Sequence, residues 1–107
     1  MSYKLYLVTR QDLPSGQQAV QACHAMTEFL IEHKNEAKLW HDTSNYLALL
    51  SVPDEQSLCK LVDKAHEHDL CLSLFHEFDR DGELTAVAFE SRAKQLLRNV
   101  KLAFSSV

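Results

Sequence analysis

The residue types most suited to chemistry crowd into residues 10–25, RQDLPSGQQAVQACHA. A short apolar run, KLYLVT at residues 4–9, leads into this polar turn, and a helical pattern begins beyond it. A strand-to-helix turn exposes backbone N–H groups and carries working side chains in α/β proteins. Arg10 supplies a cation there, Gln17 and Gln21 supply amides, and His24 supplies an imidazole that can act as base or orient a ligand. Cys23 beside His24 has the composition of a nucleophile pair. Adjacent helix residues point about 100° apart, however, so Cys23 reads as a core thiol. Asp79, Asp81 and Glu83 around Gly82 look like the start of a calcium loop, but the glutamate at the required spacing is missing and an acidic turn is the better reading. His66, His68 and Cys71 have no second ligand pair to complete a metal site. Neither a G-x-G-x-x-G motif nor a phosphate-binding loop occurs. No metal and no cofactor is expected.

Local patterns predict the elements that position these residues. Residues 3–9 read as a strand and 12–16 as a turn, with Ser15 as N-cap. Residues 16–34 read as a helix with a core stripe of Ala19, Ala22, Cys23, Met26, Phe29 and Leu30. Gln17, Gln21, His24 and Glu28 then share an adjacent polar face. A short helix at 36–41 carries Leu39 and Trp40. NYLALLSV, residues 45–52, is apolar enough for a strand covered on both faces. A helix over about 54–68 packs through Leu58, Leu61, Val62 and Ala65. Strands at 71–78 and 84–89 form an antiparallel hairpin around the acidic turn. A last helix spans 91–99, capped by Ser91, and a tail runs from 100 to 107. Right-handed crossovers then give an α/β fold, a three-layer α/β/α sandwich on a four-stranded mixed sheet. All 107 residues form one domain.

The chain carries a net charge of −4, with 46% hydrophobic and 24% charged residues, an ordinary globular composition. Positive charge concentrates at Arg92, Lys94, Arg98 and Lys101, and acid concentrates from Glu77 to Glu83. The overall sign disfavours a dedicated nucleic-acid binder. No apolar stretch reaches the roughly 20 residues of a membrane span. The N-terminus lacks the pattern of a signal peptide. Three widely spaced cysteines favour reduced thiols in the cytoplasm.

With these elements in place, the chain resembles the peptidyl-tRNA hydrolase 2 family. Arg10, Asp12, Leu13, Gly16, Ala19, Gln21, His24 and Ala25 match that family's strand, turn and helix motif. Leu72-Ser73-Leu74, Thr85 and the ending Lys101-Leu102 match further segments, and the order of elements agrees over nearly the whole chain. The resemblance implies hydrolysis of the ester between peptide and tRNA by an activated water. It implies Gln17, Glu77, Thr85 and His24 as catalytic residues, with Arg10, Gln21 and Arg80 binding substrate. The tRNA 3′ end is the implied partner. A homodimer is a further expectation, with Tyr3, Tyr6, Trp40 and Phe104 as apolar contributors.

Three departures from the family pattern bear on activity. Gln17 stands where the family has a lysine, Glu77 where it has an aspartate, and the loop after Glu77 is shortened and lacks a threonine. A neutral amide cannot supply a lysine's charge, so the expected activity is weak unless Arg10 or Arg80 substitutes. The alternative is a catalytically inactive relative that kept the scaffold as a binding or interaction module.

Overall fold

A computed structural model describes residues 3–105. The first and last two residues of the chain, including the end of the expected tail, lie outside it. The elements are β1 (Lys4–Arg10), α1 (Ser15–Glu32), α2 (Lys34–Thr43), β2 (Tyr46–Val52), α3 (Glu55–Glu67), β3 (Leu72–Glu77), β4 (Glu83–Phe89) and β5 (Lys101–Leu102). Short 3₁₀ turns occupy Phe78–Arg80 and Ser91–Lys94. The sheet order is β3-β4-β1-β2-β5. β1 and β2 run parallel, and the other three pairings are antiparallel.

Alternation along β1 sorts the two cores, because successive strand residues point to opposite faces. Leu5 and Leu7 pack with Ala22, Ala25 and Phe29 of α1 and with Trp40 of α2. Tyr6 and Val8 pack on the other face with Leu58, Val62 and Ala65 of α3 and with Ala93 and Leu97. Three layers result: α1 and α2, the sheet, then α3 with the segment after β4.

Four expectations need correction. The sheet has five strands, because Lys101 and Leu102 pair with Ser51 and Leu50; two residues are too short to leave a periodic signal. The segment expected as a last helix forms a 3₁₀ turn and further turns. Its N-terminal neighbour Glu90 is committed elsewhere, accepting from the Cys71 N–H at 2.5 Å and from Arg92 at 2.6 and 2.9 Å, so no side chain caps the segment. Nor does Ser15 cap α1, which begins after Pro14 without a side-chain cap. β2 is covered on both faces only toward its end, since Tyr46 and Leu47 are more than half exposed.

The α1 stripe is also rotated from its expected position. Gln18, Gln21, Ala22, Ala25 and Phe29 face inward, while Ala19, Cys23 and Leu30 face solvent. Polarity misled the reading because both inward glutamines are satisfied. Gln18 donates to the Leu13 carbonyl at 2.7 Å, and Gln21 is bonded at both ends of its amide.

Candidate functional site

The site is built where α1 crosses the end of the β3–β4 hairpin. Alternate residues of β3 face α1. Ser73 donates to Glu32 at 2.6 Å, Phe75 stacks on the His24 ring at 4.5 Å, and Glu77 meets Gln21. The β3–β4 register pairs Phe75 with Ala86 but His76 with Leu84. Thr85 is therefore one extra residue on β4, a bulge that turns its side chain toward α1. This bulge had no signal in the sequence, because Thr85 by itself is an ordinary strand residue.

A chain of hydrogen bonds follows. The Thr85 hydroxyl, fully buried, donates to Gln21 Oε1 at 2.6 Å, with the Phe75 carbonyl 3.3 Å away. Gln21 Nε2 in turn donates to Glu77 Oε1 at 2.8 Å. The other carboxylate oxygen, Glu77 Oε2, accepts from the Asp79 N–H at 3.4 Å, and the Glu77 carbonyl accepts from the Gly82 N–H at 2.9 Å. The turn closes through left-handed residues, Asp81 at φ 55° and Gly82 at φ 77°. Glycine takes that conformation at no steric cost and aspartate tolerates it.

Electrostatically, Glu77 is held in its ionised form. The Gln21 amide, then the Asp79 N–H and the nearby His24 ring, lower its pKa below the usual glutamate range. An ionised carboxylate with a depressed pKa accepts a proton reluctantly. It can still hold a water by a strong hydrogen bond and take its proton as charge develops in the attack.

The structure brings Gln21, Glu77, Thr85 and His24 together. Gln17 sits one helical turn before Gln21 on α1 and is exposed. Arg10 does not reach outward as expected for a substrate cation. It is 4% exposed, bonded through Nε and Nη2 to Asp12 at 2.9 Å each, and through Nη1 to Glu83 at 2.8 Å and the Leu84 carbonyl at 3.0 Å. Asp12 first, and then Glu83 against the opposing effect of burial, raise its pKa further. Arg10 thus ties β1 to β4, a role that its place at the end of an apolar strand does not reveal. Arg80 is half-buried and its Nε lies 3.4 Å from Glu83. Cys23 is exposed rather than a core thiol. Tyr6 and Trp40, expected at a surface between copies, are core residues, whereas Phe104 is exposed. Among the described residues no group of three or more His, Cys, Asp and Glu side chains is placed to hold a metal ion. Nor is any helix among them long and apolar enough to cross a membrane.

A small three-layer domain, with a buried threonine, an amide and a carboxylate linked at one end of its mixed sheet, is the class that fold and site define. The chain belongs to the family described as peptidyl-tRNA hydrolase PTH2, whose model matches residues 3–104. Its fold is similar to that of a solved protein of unknown function from Agrobacterium tumefaciens strain C58, with a TM-score of 0.70 and 14% identity. The match covers 95% of this chain and 98% of that one. No curated protein sequence matches this chain.

Proposed function

We propose that this protein hydrolyses the ester that joins an acyl group to the 3′ end of tRNA, with Glu77 holding the attacking water. The observation that carries this reading is the hydrogen-bond chain from Thr85 through Gln21 to Glu77. It fixes one carboxylate oxygen from behind and leaves a half-buried, ionised group at the solvent edge. In the reaction, water attacks the ester carbonyl carbon as Glu77 accepts its proton. The tetrahedral oxyanion then collapses, the bond to the ribose oxygen breaks, and the proton passes to that oxygen. Free acyl acid and free tRNA are the products.

Gln17, exposed one turn away, is the candidate donor to the oxyanion, and His24, stacked on Phe75, bears on Glu77. Neither replaces a fixed cation, and Arg10 is fully engaged. Losing one well-placed charged donor costs roughly 10²–10³ in rate, so turnover is expected to be slow. That same deficit favours a second reading, an inactive relative that binds without cleaving. Incubating folded protein with peptidyl-tRNA separates the two. Acyl release above background, lost in Glu77→Gln, supports the hydrolase; binding without release supports the other. A cytoplasmic role in translation is part of the same proposal.

A further inference from the structure

We propose that His24 grips the 3′-terminal base of the substrate by stacking, and so sets the ester of that nucleotide against the water on Glu77. This rests on the hydrolytic reading and assigns the part of the tRNA that the site holds. The starting observation is the His24 ring. It lies nearly parallel to Phe75, with centroids 4.5 Å apart and an interplanar angle of 16°. Phe75 covers one face, yet His24 as a whole is exposed, so the open surface belongs to the outer face and the edges of the ring. Among the described residues neither ring nitrogen has a hydrogen-bond partner, so the stack on Phe75 is what orients the imidazole. His33, at the end of the same helix, is different: its ring is tilted by 43° on Phe29 and its Nε2 is 2.9 Å from the Leu72 carbonyl. That histidine ties α1 to β3, whereas His24 presents a fixed flat face to solvent.

The place of that face selects its ligand. Phe75 and Glu77 are alternate residues on the α1 side of β3, so they stand about 7 Å apart along the strand. A ribose hydroxyl and the base on the same ribose are separated by a comparable reach. β3 is the outer strand of the sheet, so no further strand closes the space beside the pair. Val20, one turn before His24, is 52% exposed and extends the apolar surface next to the ring. Gln17, Val20, Gln21 and His24 form a strip of α1 without a carboxylate, lysine or arginine. A flat, uncharged base fits such a strip, because bases stack on histidine and other ring faces without a counter-charge. Phosphate contacts offer little compensation here: Arg10 is committed to Asp12 and Glu83, Gln17 is neutral, and the chain carries a charge of −4. The terminal adenine of tRNA, a purine, covers more of the ring than a pyrimidine would.

The test uses two probes, the trinucleotide CCA and the same trinucleotide with its terminal base replaced by hydrogen. Their phosphates are identical, so the comparison isolates the base. One stacked base is worth about 10-fold in affinity, and the wild type is expected to bind CCA that much more tightly. CCA, but not the abasic probe, should move the His24 ring protons upfield in NMR spectra of the wild type, a reading that needs no variant. In folded His24→Ala the affinity ratio falls to about 1, whereas His24→Phe keeps a ring on Phe75 and retains most of it. Equal binding of the two probes by the wild type, no selective shift of the His24 protons, or a ratio that survives His24→Ala overturns the inference while leaving the hydrolytic reading intact. Loss of the ratio in His24→Phe as complete as in His24→Ala also overturns it, because a charge or proton role would then be at work. A CCA preference that follows the ring, in folded protein that releases no acyl group, supports the base contact and overturns hydrolysis alone.

Discussion

Gln21→Met removes the middle of the hydrogen-bond chain while keeping helix propensity and nearly the same volume. The magnitude follows from the two ends. Thr85 is fully buried and loses its 2.6 Å acceptor, although the Phe75 carbonyl at 3.3 Å offers a poorer replacement. A buried hydroxyl left with a weak partner costs about 1–2 kcal/mol. For a domain of this size that lowers Tm by roughly 5–10 °C. The Glu77 end sits at the solvent edge and contributes to position more than to stability. Thermal unfolding by circular dichroism measures the first effect. A cycle with Thr85→Val isolates the bond. The single variants each orphan a partner, whereas the double variant orphans none, so its destabilisation should fall short of their sum by about 1 kcal/mol. Strict additivity, or an unchanged Tm in Gln21→Met, would refute the buried chain and with it the positioning of Glu77.

Other expectations follow from the same geometry. Arg10→Met removes four hydrogen bonds from a nearly buried guanidinium whose carboxylate partners are partly exposed, and should cost about 2 kcal/mol in urea unfolding. An activity loss beyond the unfolded fraction would instead show Arg10 meeting substrate. Gln17→Lys places a cation at an exposed position one turn from Gln21. It should raise acyl release about 10-fold with a Tm change under about 2 °C. Asp12 and Glu83, each bonded first of all to Arg10, and Glu77, bonded to Gln21, all titrate below their ordinary values when folded. Their contribution is complete above the unfolded carboxylate values of about 4 and is lost as pH falls through the lower folded ones. Stability from these groups should therefore be flat between about pH 6 and 8 and decline below about 4. A decline beginning near pH 6 would point to histidines instead.

Much of the architecture was legible because apolar spacing reports long elements. The runs feeding β1 and β2, and the stripe of Leu58, Val62 and Ala65 on α3, needed no tertiary information. Where polar residues are buried with partners, the same rule failed. Gln18 and Gln21 rotate the inward face of α1 away from Ala19 and Leu30, and no hydropathy pattern anticipates an amide whose donors and acceptors are met 56 and 64 positions later, at Glu77 and Thr85. Thr85 faces α1 only through a one-residue register shift, which depends on pairing rather than composition. Arg10 looked available because a strand-end arginine usually is. Its fork geometry instead matches Asp12 two residues on and Glu83 across the sheet. The family motif brought the right segment forward, whereas the local chemistry depended on contacts between distant positions.

Acyl release from peptidyl-tRNA by wild type and Glu77→Gln, both shown folded by their unfolding curves, tests the central claim most directly. The substitution keeps a hydrogen-bond acceptor for Gln21 and removes the charge. The predicted result is slow but measurable release by the wild type and at least a 100-fold loss in the variant, about the span of a general base. Release that survives Glu77→Gln, or none from folded wild type, would contradict it.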